Sequence, residues 1–215
     1  MKKIVVLLSG RGSNMAAIAA ALREERWPAS IACVIADRPQ AQGLARAAQA
    51  GLATAVVERS AFARRDDFER ALAEAIDAHR PDAVVLAGFM RVLGAAFVER
   101  YHGRLLNIHP SLLPAFPGLD THRRALQGGV AVHGATVHYV GAEVDAGPII
   151  AQAAVPVMPE DDEDALAARV LASEHRLYPM ALRWHLDGRL RLQGTRVTLA
   201  DPRPGEARWL WNDAR

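Results

Sequence analysis

The chain has a single cysteine, Cys33, among 215 residues, so no intrachain disulfide can form. Cys33 lies in an apolar, strand-like segment and reads as a buried, inert thiol. Charge of one sign is also lacking: 26 Lys and Arg against 24 Asp and Glu leave a formal net charge of +2. A nucleic-acid partner would want basic residues clustered on one face, and none is expected here. The pair Arg64-Arg65 runs directly into Asp66-Asp67. Long hydrophobic runs are missing too. Lys2-Lys3 precede only the apolar stretch Ile4–Leu8, too short for a signal-peptide core or a membrane span. A cytoplasmic protein without a membrane partner follows as the expectation. With 51% hydrophobic and 23% charged residues, the composition is that of a globular chain able to bury a core. There is no internal repeat, low-complexity tract or linker, so one domain is expected over residues 1–200, with 201–215 a weakly ordered tail.

What is present is alternation. Apolar runs at Ile4–Leu8, Ile31–Ala36, Ala53–Val57 and Ala83–Leu86 read as buried strands. Between them, Asn14–Glu25, Ala41–Ala50 (ended by Gly51) and Asp66–His79 carry helical patterns. Continuous apolar strands separated by helices predict an α/β, Rossmann-like fold: a mostly parallel twisted sheet with helices on both faces. In such a sheet, ligands bind beyond the carboxyl ends of the strands. Later, Ala131–Val140 and Ile149–Val157 are strand-like, Asp164–His185 is helical with an interruption expected at Pro179, and Arg189–Leu199 reads as a hairpin turning at Gln193-Gly194.

The stretch Asn107-Ile108-His109-Pro110-Ser111-Leu112-Leu113-Pro114 closes a further apolar run and enters a proline-rich turn. Residues two apart on a strand share a face, so Asn107 and His109 project together. An amide donor beside an imidazole suits a carbonyl passing through a tetrahedral intermediate. Asp145, in Val144-Asp145-Ala146-Gly147-Pro148, adds a carboxylate in a glycine-containing bend. The plainer alternative is a packed Asn and His at a strand end.

Ser9-Gly10-Arg11-Gly12-Ser13-Asn14 follows the first strand and opens the first helix. Glycines there admit an anion and free helix N–H groups bind it, although Ser and Asn are also ordinary N-caps. A dinucleotide fingerprint fails at Met15, where its third glycine should stand; Asp37, ending the second strand, is the only support for that reading. Phe89, Met90, Val92 and Leu93, after the fourth strand, are candidates to wall a pocket for a flat ring, with Arg91 placed for a carboxylate. No metal is expected, because the eight histidines form no ligand spacing.

Taken together, the Asn107–Pro114 segment, Gly134-Ala135-Thr136-Val137-His138-Tyr139 and Val144–Ile149 closely resemble the phosphoribosylglycinamide formyltransferase family. The likeness runs from Ile4 to about Leu192 and includes Ser9–Asn14 and Leu86–Arg91. It implies transfer of a formyl group from 10-formyltetrahydrofolate to glycinamide ribonucleotide in purine synthesis. By matching position, Asn107, His109 and Asp145 are similar to the catalytic trio. Arg11, Gly12, Ser13 and Asn14 resemble the nucleotide phosphate site, and Glu174 the acid holding the ribose hydroxyls. Met90, Arg91, Val92, Leu93 and the loop Gly141, Ala142, Glu143 and Val144 resemble the folate pocket, with Arg65 toward the glutamate tail. The resemblance assigns nucleotide to residues 1–100 and catalysis with folate to 101–200, in a monomer or homodimer acting on small molecules. Ala142 and Ala115 depart from the family pattern, where an acid and a lysine are frequent.

Two relatives share the catalytic parts. Methionyl-tRNA formyltransferase carries an added C-terminal domain, and formyltetrahydrofolate deformylase an added N-terminal domain with a His-His-Ser motif, where Pro110 stands here. A non-catalytic phosphate-binding module would use the Ser9–Asn14 turn but not the trio.

Overall fold

The computed structural model describes residues 1–211. Packing divides the chain into two compact units, Met1–Asn107 and the residues from Ile108 onward.

In the first unit, β1 (Lys2–Leu8), β2 (Ala29–Ala36), β3 (Thr54–Val56), β4 (Ala83–Leu86) and the start of β5 (Leu105–His109) alternate with helices. These are α1 (Ser13–Glu24), α2 (Gln42–Gln49), α3 (Arg65–Asp77) and α4 (Ala95–Arg100). The strands lie in the order β5-β4-β1-β2-β3, and every pairing is parallel. The central strand has no polar face: Ile4 to Leu8 are all fully buried, as expected of a strand covered on both sides. Helix α3 buries Phe68, Leu72 and Ile76, a four-residue spacing that makes one apolar stripe. The strand–helix alternation expected from hydropathy is present. Helix α4 follows the Phe89–Leu93 segment.

The second unit contains α5 (Thr121–Gln127), β6 (Val132–Tyr139), β7 (Ile149–Pro156), α6 (Glu163–Leu186), β8 (Leu190–Gln193), β9 (Arg196–Leu199) and β10 (Trp209–Trp211). Strands β6 and β7 pair antiparallel, β10 joins β7 in parallel, and β8–β9 is a separate hairpin. Its turn uses Gly194 at φ +58°, which glycine adopts without a Cβ penalty.

Two findings differ from the sequence reading. Pro179 does not interrupt α6, which runs unbroken through it. Proline removes one N–H from the helical ladder, but Leu177, Tyr178, Ala181, Leu182 and Trp184 are fully or nearly fully buried around it. That packing holds the helix across the missing bond. Asp162 caps its start by accepting from Ala165 N at 2.8 Å, and acids in the first turn with Arg183 and His185 in the last suit its dipole. Second, within the span expected as a loose tail, Trp209–Trp211 forms β10, Arg208 donates to the Ile149 and Ile150 carbonyls, and Glu206 pairs with Arg189. The remainder of that tail, 212–215, lies outside the described residues.

Candidate active site

Strand β5 ends in His109, which is buried at 6% exposure, and Asn107 lies two residues earlier on the same strand. His109 Nδ1 stands 3.3 Å from Asp145 Oδ2, and Nε2 lies 3.0 Å from the Phe116 carbonyl oxygen. Both ring nitrogens thus face acceptors, and only a ring carrying two N–H groups can donate to both. The same Asp145 oxygen accepts from Gly118 N at 2.8 Å. Its other oxygen is 3.9 Å from His138 Nε2. Burial pushes the His138 pKa down, against smaller opposing effects of the Tyr139 carbonyl and of Asp145, so this ring favours its neutral form.

Asp145 reaches this position through its backbone. It sits at φ +56°, in the left-handed region that aspartate tolerates better than most residues. Two residues on, Gly147 is pressed against the end of β6: a β carbon there would lie 1.8 Å from the Tyr139 carbonyl oxygen. Gly141 Cβ would similarly meet Gly147 Cα at 3.3 Å. The loop between β6 and β7 is therefore closed tightly at its base, with Ala142, Glu143 and Val144 exposed at its tip.

The turn after His109 is held from two strands. Thr136 Oγ1 accepts from Leu113 N at 3.0 Å and donates to Ser111 O at 2.7 Å, while Gln152 Nε2 donates to Leu113 O at 2.9 Å. Thr136 and Gln152 sit directly opposite each other in the β6–β7 register. The sequence reading gave a role to neither residue, nor to Phe116 or Gly118. A periodic pattern carries no signal for them, because their contacts depend on the path of the turn. Thr136 and His138 entered the sequence reading only as members of the Gly134–Tyr139 segment, with no role assigned.

In the first unit, Gly12 has φ +72° and immediately precedes α1, and a β carbon on it would lie 2.7 Å from Gly43 Cα. The Ser9–Gly12 turn is tied to the start of α2 and to the segment after β4. Gly43 N donates to Gly10 O, Ser9 N to Gly88 O, and Met90 N to Ser9 Oγ. Candidate residues Gly12, Ser13, Asn14 and Met90 are thus gathered at the carboxyl ends of β1 and β4, where parallel sheets bind ligands. Arg11 is exposed beside them. Met90 and Val92 are largely exposed, whereas Leu93 is buried. Arg91 Nε already donates to Asp37 Oδ2 at 2.5 Å, and Asp37 is buried, so the two residues singled out separately by sequence form one ion pair. Arg65 lies 3.4 Å from Glu69 Oε1 and keeps half of its side chain in solvent. In the second unit, Glu174 is buried in the middle of α6. Among the described residues, no group of three or more His, Cys, Asp or Glu is gathered as a metal site.

Comparison with known proteins agrees with this architecture. Residues 2–182 match the formyl transferase family profile. The phosphoribosylglycinamide formyltransferase of Escherichia coli (strain K12) is 51% identical over 189 residues, which span 88% of this chain and 89% of that protein. The crystal structure of glycinamide ribonucleotide transformylase 1 from Symbiobacterium toebii superposes with a TM-score of 0.91 at 49% identity, covering 94% of this chain and 95% of that one. The phosphoribosylglycinamide formyltransferase structure from Coxiella burnetii gives 0.88 at 47% identity, over 92% and 93% of the two chains. Matched over nearly its whole length, the chain belongs to the formyl transferase family, among its phosphoribosylglycinamide formyltransferases.

Proposed function

We propose that Asn107, His109 and Asp145 perform the chemistry of the reaction that family membership assigns to this chain. That reaction moves the formyl group of 10-formyltetrahydrofolate to the amine of 5'-phosphoribosylglycinamide. Its products are formylglycinamide ribonucleotide and tetrahydrofolate, made in the course of purine synthesis. The chain is a one-carbon transferase.

The observation that carries the assignment of roles is the 3.3 Å approach of Asp145 Oδ2 to His109 Nδ1 in a buried setting. As the substrate amine attacks the formyl carbon, negative charge grows on the formyl oxygen. The Asn107 amide and the His109 imidazolium stabilise that charge as fixed donors that need little reorganisation. Asp145, 3.3 Å from the ring, takes the proton released by the amine through a water. The same proton then passes to the folate nitrogen as the C–N bond breaks, so the cycle closes without a covalent enzyme intermediate. In this reading Arg11, Gly12, Ser13 and Asn14 receive the nucleotide phosphate and Glu174 the ribose hydroxyls. Met90 to Leu93, residues 141–144 and Arg65 serve the folate. The partners are the two small-molecule substrates, met in the cytoplasm by a monomer or homodimer.

Turnover with and without the nucleotide tests the reading. Donor consumption is expected to be slow alone and strongly accelerated by glycinamide ribonucleotide, whereas fast formate release indifferent to the nucleotide would indicate a hydrolase. Asn107→Ala is expected to lose about a hundred- to a thousandfold in turnover, the range for one oxyanion donor. Asp145→Asn should lose turnover and change the shape of the pH–rate profile. Near-normal turnover in both variants overturns the assignment.

A further inference from the structure

A short strap, Phe116 to Leu119, bonds to two of the proposed catalytic side chains, His109 and Asp145. Its Phe116 carbonyl meets His109 Nε2 at 3.0 Å, and its Gly118 N–H meets Asp145 Oδ2 at 2.8 Å. The strap therefore touches the outer side of the histidine and the same carboxylate oxygen that faces the inner side. Its backbone is unusual: Phe116, Gly118 and Asp120 all have positive φ, at +53°, +79° and +57°. For Phe116 in particular that region is disfavoured, and such a conformation persists only where surrounding contacts hold it.

Arg124 supplies three of those contacts. Arg124, half-buried on α5, donates through Nη1 to the Pro117 carbonyl at 2.6 Å and to the Leu119 carbonyl at 3.3 Å. Its guanidinium carbon also lies 5.6 Å above the Phe116 ring, close enough for a cation–π contact. Among the described residues no other side chain bonds the Pro117 and Leu119 carbonyls. The Phe116 ring also packs edge-on against buried His133, at 5.8 Å between centroids. Arg124 thus grips the strap on both sides of Gly118 and over Phe116, the two residues whose backbone groups hold Asp145 and His109.

We infer that Arg124 is a positioning residue for the formyl transfer, acting through the 116–119 strap to set the His109–Asp145 geometry. It touches neither side chain and need not touch substrate. The inference rests on the proposed roles of His109 and Asp145. The physical reason for expecting an effect on rate is that a catalytic group displaced by about 1 Å loses up to a hundredfold. Lysine at this position would keep the charge and the contact with the ring, but it is a point donor without the planar fork.

The test compares Arg124→Met, Arg124→Lys, Asp145→Asn and the double variant Arg124→Met/Asp145→Asn in steady-state kinetics with both substrates, alongside melting temperatures. Arg124→Met is expected to lower kcat about tenfold with both KM values within about twofold, and Arg124→Lys to recover a measurable part of that loss. Because Arg124 acts through the pair, the double variant should fall no more than about twofold below Asp145→Asn alone. Normal kcat in Arg124→Met beside a crippled Asp145→Asn overturns the positioning role and leaves the catalytic pair standing. So do losses that multiply in the double variant, or a lowered melting temperature with unchanged kcat. Near-normal turnover in Asp145→Asn instead removes the pair itself, and the inference with it.

Discussion

Asp145 owes its position to a neighbour that cannot carry a side chain. A β carbon at Gly147 would sit 1.8 Å from the Tyr139 carbonyl oxygen, against backbone that has little room to yield because β6 is paired with β7. Gly147→Ala must therefore move the base of the loop. We expect a loss of about 1–3 kcal/mol from overpacking, together with a fall in turnover larger than the stability change alone explains. Chemical denaturation and kcat on the same preparation check it, and unchanged values for both would show that the loop base has slack. At this scale the sequence was partly legible. Alternation on a strand placed Asn107 and His109 on one face, and a carboxylate beside a glycine marked the Asp145 bend. That Arg91 would spend its Nε on Asp37 was not legible, since their 54-residue separation carries no periodic signal.

At the scale of elements, the most informative segment is among the shortest. Strand β10 has only three residues, and the flanking Arg208 ties it to β7: its backbone carbonyl accepts from Gln152 N at 2.9 Å, and its guanidinium donates to Ile150 O at 2.7 Å and Ile149 O at 2.5 Å. Trp209 and Trp211 remain more than half exposed, so burial of their rings contributes little to this docking. The arginine is the stronger clamp. Arg208→Ala is expected to cost about 1–3 kcal/mol and to raise amide exchange along Ile149–Pro156. Exchange unchanged from the parent chain would mean that the strand pairing holds without the clamp. The same scale explains the misreading of Pro179. Local rules place a break at a proline inside a helix, but ten buried residues along α6 outweigh one absent hydrogen bond.

Across the whole molecule, buried histidines make stability depend on pH. Burial lowers the His133 pKa to about 4, reinforced by His122 and His109 and opposed by the Pro110 carbonyl. His122 is also lowered by burial, in spite of Glu163. A histidine whose folded pKa lies below the unfolded value of 6.5 is held neutral by the fold. Its stability is intact above pH 6.5 and is lost as pH falls from there toward 4, as the unfolded chain binds the proton first. For His133 the full effect is at most about 3 kcal/mol. Glu206 adds a second, more acidic stage. Arg189 first, then the Arg203 backbone N–H and Trp184, hold its pKa near 2, against desolvation. Its contribution is present above the ordinary value of 4.5 and disappears as pH drops toward 2. Melting temperature should therefore decline in two stages on acidification. His133→Gln should shrink the upper stage, leaving the share of the other buried histidines, and leave the lower one unchanged; a parent profile level between pH 7 and 4 would contradict the assignment.

The sequence by itself determined the features that neighbours along the chain decide. Apolar runs such as Ile4–Leu8 and Ala83–Leu86, short and alternating with stretches of helical periodicity, read as strands covered on both faces. Parallel order follows, and with it carboxyl strand ends that carry Ser9–Asn14 and Leu86–Arg91. Motif order added the family. Tertiary structure alone decided which distant groups meet. Asp145 reaches His109 across 36 residues of chain only because a tight loop base and a left-handed residue turn it inward. The Gly118 N–H, the Thr136–Gln152 anchor and the Arg124 grip arise from backbone atoms and carbonyls, which every residue possesses and no side-chain pattern announces. Periodicity records which face of an element is buried; the path of a turn depends on contacts made by residues far away, and those exist only once the chain has folded.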